Sequence, residues 1–162
     1  MTFDAIADDL KVKFKNDILE IKSKAPDSHS DPFIVVTATK IYDILKYLHS
    51  SQHLYFDNLL CVSGVDWKDH FEVVYHVHSY RHLHKIILKV KLSDREHPEI
   101  PSMCDLWKGA NWLEREVFDM FGISFRNHPD LKRILLPEDW EGYPLRKDYK
   151  TQETWHGIKV GM

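Results

Sequence analysis

The chain has 162 residues, 43% of them hydrophobic and 29% charged, and a formal net charge of −3. That length suits a single domain with a buried core, and the negative balance argues against a protein whose main task is to grip phosphate backbones. The densest apolar runs, 33–36 and 59–62, have four residues each, far short of the roughly 18 needed to span a bilayer.

The N-terminal stretch is acidic and amphipathic, unlike a signal or arginine-rich transit peptide. Residues 3–15 place Phe3, Ile6, Ala7, Leu10 and Phe14 at helical spacing behind Thr2 as a cap. Residues 18–23 alternate weakly, as a strand does, and the Pro-, Ser- and Asp-rich residues 25–32 read as a loop. Residues 33–37 suit a short buried strand. Ile41, Ile44, Leu45 and Leu48 then share one face of a helix over 39–50. Residues 58–65 suit a strand ending near Gly64, and 72–80 and 84–92 alternate on either side of a short turn, as in a hairpin. Residues 93–101 read as a polar loop, after which Ser102 caps a short turn toward Trp107. The clearest helix spans 111–121, with Asn111 as cap, Glu114 three positions on and Gly122 as stop. A short strand-like piece over 123–126 is followed by about 35 residues of no fixed period.

This order predicts an α+β domain over 1–128, with a mixed sheet and helices mainly on one face, followed by an extended C-terminal arm over 129–162. The arm is too apolar to be disordered, with Leu136, Trp140, Leu145 and Tyr149 among its large side chains. Three prolines keep it out of a helix, and its six Lys/Arg balance six Asp/Glu from Asp130 onward. Such a segment suits docking on a second protein; the plainer reading is that it wraps its own domain.

Three sets of residues could carry chemistry. Glu116 and Asp119 can share a helix face as an acid–base pair, although Arg115 and Asp119 can equally pair as ions, with Leu113, Val117 and Met120 as the buried stripe. His76, His78, His82 and His84 could bind zinc or nickel across the hairpin; the polar face of a half-exposed hairpin is the plainer account. The two cysteines, Cys61 and Cys104, read as reduced thiols and cannot supply a four-thiolate cluster. No dinucleotide loop, phosphate loop or nucleophile elbow occurs. The residues favour a binding or assembly module over an enzyme.

Residues 114–135, ERE-VF-DMF-GISFRN-HPDLKRIL, resemble the signature of the C subunit of bacterial NADH:quinone oxidoreductase (respiratory complex I). Glu114, Arg115, Glu116, Asp119, Met120, Phe121, His128, Lys132, Ile134 and Leu135 fall on its positions. LPEDWEGYPLRKDY (136–149) and HGIKV near the end also look like that family. The resemblance implies a free-standing, cofactor-free structural subunit of the hydrophilic arm of a proton-pumping complex. It would pack on the D subunit and its neighbours near the quinone site, at the cytoplasmic face of the bacterial inner membrane. FMN, iron–sulfur clusters and quinone are expected in the partner subunits, and membrane contact only through the complex. The expected interface comprises Glu114, Arg115, Glu116, Asp119, His128, Arg133, Leu136, Trp140, Leu145, Arg146, Lys147, Asp148 and Tyr149. Deleting 131–162 is expected to leave a soluble domain that no longer joins the complex. Subunits of plastid-type complexes and membrane-bound hydrogenases share the signature, so their equivalent remains the alternative.

Overall fold

The structure, a computed structural model, describes residues 1–24 and 30–160. Helix α1 (Phe3–Phe14) begins where its sequence asks, with the Thr2 hydroxyl accepting the Ala5 N–H at 3.3 Å, and it buries Ile6, Ala7 and Leu10. Strands β1 (Ile18–Lys22) and β2 (Phe33–Val36) pair antiparallel. Of the expected loop between them, residues 25–29 lie outside the described residues. Helix α2 (Ile41–Ser50) buries the four apolar residues whose spacing defines it. Strands β3 (Asn58–Asp66), β4 (Phe71–Ser79) and β5 (His84–Leu92) form an antiparallel meander, and β4 and β5 make the expected hairpin.

The five strands lie in the order β1-β2-β5-β4-β3, and the β2–β5 contact is parallel, so the sheet is mixed as expected. Strand parity selects the core. Val36 pairs with Val90, Val90 with Val73, Leu88 with Tyr75 and Tyr75 with Val62, so these side chains share one face. Buried residues of all three helices join them in one core. A bulge between Leu59 and Cys61 preserves this parity: Leu59 and Val62 both point inward, and the inserted Leu60 is expelled to the surface.

Beyond the sheet several expected elements are corrected. The expected loop over 93–101 contains β6 (Glu99–Pro101), parallel to β7 (Ser124–Arg126). Ile100 and Phe125 are both buried at this pairing; a three-residue strand is too short to show a period of its own. Ser102 does cap a turn: its hydroxyl accepts the Cys104 N–H, and the Trp107 N–H reaches back to Met103 O at 2.9 Å. Helix α3 (Ala110–Phe121) starts at Gly109, so Asn111 lies inside the first turn and is not the cap. The chain is already turning, with the Ala110 N–H on Trp107 O, and the Asn111 carbonyl is taken by His128. Gly122 ends the helix in the left-handed region, at φ 69°. Within the C-terminal stretch, β8 (Thr154–Trp155) and β9 (Ile158–Lys159) form a small hairpin across His156 and Gly157, which both have positive φ.

Helix α3 reaches the sheet at Gly64, where an added Cβ would lie 2.6 Å from Phe121 Cδ2. Gly64→Val is therefore expected to cost about 1–3 kcal/mol through overpacking. Urea titration should show a lower midpoint with an unchanged slope.

Candidate functional site

Helix α3 carries two fully buried carboxylates, Glu114 and Asp119. Glu114 does not turn back to cap its own helix, as the sequence suggested. Its Oε2 accepts the Ser102 hydroxyl at 2.6 Å, and its Oε1 accepts the Met103 N–H at 2.7 Å. Burial pushes its pKa up, against these hydrogen bonds and that of Cys104.

Asp119 anchors the segment after the helix. Its Oδ1 accepts Arg133 Nη1 at 2.7 Å, and its Oδ2 accepts the successive N–H groups of Ile134, Leu135 and Leu136 at 3.0, 2.7 and 2.9 Å. Burial works to raise its pKa, but Arg133 and the three amides outweigh it and hold the carboxyl below its ordinary 3.8. The Arg115–Asp119 pair that the spacing allowed does not form. Arg115 donates to Lys132 O and Arg133 O, both at 3.1 Å, with its guanidinium over the Trp112 ring. Glu116 points to solvent, so it is no acid–base partner for Asp119. The buried apolar members of the helix are Ala110, Val117 and Phe121, whereas Leu113 and Met120 of the expected stripe are half-buried.

The last carbonyls of α3 are all satisfied. Phe118 O accepts the Gly122 N–H, Asp119 O accepts Arg133, Met120 O accepts the Leu145 N–H at 3.1 Å, and Phe121 O accepts Arg146 Nε at 2.6 Å. Arg133 also donates to Trp140 O and Gly142 O, and Arg146 lies between the Phe71 and Tyr143 rings at 4.9 and 4.8 Å. The Lys147 N–H donates to Asp66, which Arg95 grips with both terminal nitrogens; Asp148 lies 3.6 Å from Arg95. Arg95 is the largest influence holding Asp66 well below the usual carboxylate range. Trp140 Nε1 donates to the Tyr149 hydroxyl, and Trp140 packs near Trp155. His128 bridges the Asn111 carbonyl and the Asp130 N–H.

Most of the expected interface residues thus meet around α3, held by contacts within the chain. Leu136 is half-buried, while Leu145 is 55% exposed and does not bury the area expected of it. Sequence reasoning missed Ser102, Met103, Asp66, Arg95 and Tyr143 as holding partners. Two glycines carried a signal for the segment's close approach: an added Cβ at Gly122 would lie 2.4 Å from the Tyr143 ring, and at Gly142 it would lie 2.9 Å from Tyr149.

The four hairpin histidines do not converge. His76 and His78 lie on the face of β4 away from the core, whereas His84, opposite Ser79, is buried on the core face and donates to Leu54 O at 2.7 Å. His82 contacts Gln52 O. Another trio, Cys104, Glu114 and His128, has ligand atoms within 4.8 Å of one another and could in principle hold a cation. Both ring nitrogens of His128 are engaged, and burial pushes the Cys104 thiol up to about 11. A metal there would have to displace hydrogen bonds and a tightly held proton.

These features define a class: a small α+β domain in which Asp119, Arg115, Arg133 and Arg146 tie the C-terminal segment to the helix before it. The chain belongs to the family described as respiratory-chain NADH dehydrogenase, 30 Kd subunit, whose model matches residues 34–155. It is 45% identical over 150 residues to the C subunit of the NADH-quinone oxidoreductase of Chloroherpeton thalassium, covering 86% of this chain and 62% of that one. It is 48% identical over 133 residues to the corresponding C subunit of Chlorobium phaeobacteroides, covering 80% of each. The fused C/D subunit of the NADH-quinone oxidoreductase of Phocaeicola vulgatus is 42% identical over 117 residues, covering 72% of this chain and 22% of that longer protein. Among solved structures, an archaeal membrane-bound sulfane sulfur reductase contains a chain with a TM-score of 0.72 and 25% identity, covering 91% of this chain and 85% of that one. No helix among the described residues is long and apolar enough to cross a membrane.

Asp119→Asn is expected to cost about 3 kcal/mol at pH 7, by leaving Arg133 without its charge partner. The sign with pH follows from the lowered folded pKa. Ionised Asp119 stabilises fully above the unfolded value near 3.8, and its contribution fades as pH falls through the folded value. Thermal melts from pH 7 to 2 should therefore show wild type and Asp119→Asn converging at the acid end.

Proposed function

We propose that the chain is a cofactor-free structural subunit in the hydrophilic arm of a proton-pumping NADH:quinone oxidoreductase. It sits beside the D subunit and its neighbours near the quinone site, on the cytoplasmic face of the bacterial inner membrane. Flavin, iron–sulfur clusters and quinone belong to the other subunits of that complex. The observation that carries this reading is how the motif is used. Asp119 and Arg115 hold the segment 131–149 on α3, Glu114 turns inward onto Ser102 and Met103, and Trp112 at 65% exposure and Leu135 at 62% are turned outward. Large apolar side chains left on the outside of a rigid surface suit a partner better than a substrate. The fused C/D relative supports the D subunit as that partner.

A second reading has one specific observation in its favour, the likeness to a chain of the archaeal sulfane sulfur reductase. In that reading the chain fills the equivalent place in a hydrogenase-like or other membrane-bound complex.

Truncation at residue 131 would remove the groups that cap α3, so it would test folding as much as assembly. Substitution of outward residues separates the two. Leu135→Asp combined with Ile158→Asp should leave the melting temperature within a few degrees of wild type, since both side chains are exposed. Co-purification with the D subunit, read by mass spectrometry, should fall at least tenfold. Unchanged recovery would sink the assembly reading. Elemental analysis of the purified chain should find less than 0.1 equivalent of zinc or nickel; stoichiometric metal would favour the histidine-site enzyme.

A further inference from the structure

We propose that the outer edge of β3, with the flank of α3 beside it, receives an extended segment of a partner protein as an added sixth strand. The inference rests on the assembly reading above and names the seat of one contact. Strand β3 ends the sheet: β4 pairs with one side of it, and no described strand pairs with the other. Every second residue of such a strand aims its N–H and C=O away from the single neighbour it has.

Edge strands are normally blunted by charge or proline. The opposite edge, β1, carries Glu20 and Lys22 in five residues. From Leu59 to Val65, by contrast, β3 has neither a charge nor a proline. An uncharged edge of that length favours pairing unless something covers it. The bulge at Leu60 bounds the regular stretch on one side, leaving Cys61 to Asp66 in unbroken register with β4. That is room for a segment of about five or six residues at roughly 3.3 Å each.

Beside this edge runs a groove of about 240 Å³ between Cys61–Gly64 and α3, with Leu113, Val117, Met120 and Leu145 in its walls. Leu60 and Leu145 stand 49% and 55% exposed. The main-chain edge asks for an extended backbone, and the apolar wall asks for aliphatic side chains at alternate positions. Glu116 supplies the remaining specificity. It lines the groove, is exposed, and has no ion pair or hydrogen bond among the described residues. The occupant is therefore an aliphatic strand with a Lys or Arg placed opposite Glu116. A second copy of this chain fits less well, because it would bring its own Glu116 carboxylate to the seam.

The test compares hydrogen–deuterium exchange over residues 58–66 in the isolated chain and in the complex purified through it. The amides of 61–65 that face away from β4 should exchange freely in the chain alone and at least tenfold more slowly in the complex. Glu116→Lys should reduce recovery of the other subunits at least fivefold without changing the chain's own melting temperature. A complex that forms normally while 58–66 exchanges unchanged, with full recovery for Glu116→Lys, overturns this seat and leaves the assembly reading intact. If none of the other subunits is recovered with the wild-type chain, the assembly reading itself fails, and this inference with it. Protection in the isolated chain together with a dimeric mass would assign the edge to a second copy and overturn the heterologous strand.

Discussion

The C-terminal end of α3 is the constraint on which the lower half of the molecule depends. A helix leaves its last carbonyls without partners and carries partial negative charge there. Here that end is packed against the sheet at Gly64 and Phe71 and lies close under the chain that follows it. The groups that satisfy it come from far along the sequence: Arg133, the Leu145 N–H and Arg146. Hydrogen bonds from charged donors contribute about 1.5–3 kcal/mol each, and an orphaned buried carbonyl costs about as much. Segment 131–149 and α3 therefore form one structural unit.

The same helix shows how environment divides two carboxylates. Glu114 is enclosed by neutral donors, so its ionised form is penalised; Asp119 meets a guanidinium and three aligned amides, so its ionised form is favoured. About one and a half turns of helix separate two groups whose contributions run in opposite directions with pH. The helix thus turns these two carboxylates inward, Glu114 onto Ser102 and Met103 and Asp119 onto Arg133 and the amides after it.

Local periodicity made much of the upper domain readable. Thr2 as a cap, the four apolar residues of α2, the β4–β5 hairpin and the Gly122 stop all follow from near neighbours in sequence. What escaped was set by distance. The β6–β7 pairing depends on Ile100 and Phe125 meeting in the core, and the true start of α3 depends on a turn that begins at Met103. The C-terminal stretch has no period because arginines, glycines and proline turns fix it onto α3. Glu114, Asp119 and Arg133 stood among the expected interface residues; the partners they have within the chain (Ser102, three consecutive amides, two distant carbonyls) could not be read from spacing. Glu116 stood among them in sequence and faces the other way in the fold.

The hold of the C-terminal segment on the helix turns on whether Asp119 and Arg133 act as one unit. A double-mutant cycle with Asp119→Asn, Arg133→Met and the combination, read by urea unfolding at pH 7, measures this directly. The structure predicts a coupling energy of about 2 kcal/mol or more, the double variant being little worse than either single one. Additive losses, with coupling below about 0.5 kcal/mol, would mean that the segment is held elsewhere and that the pair is incidental.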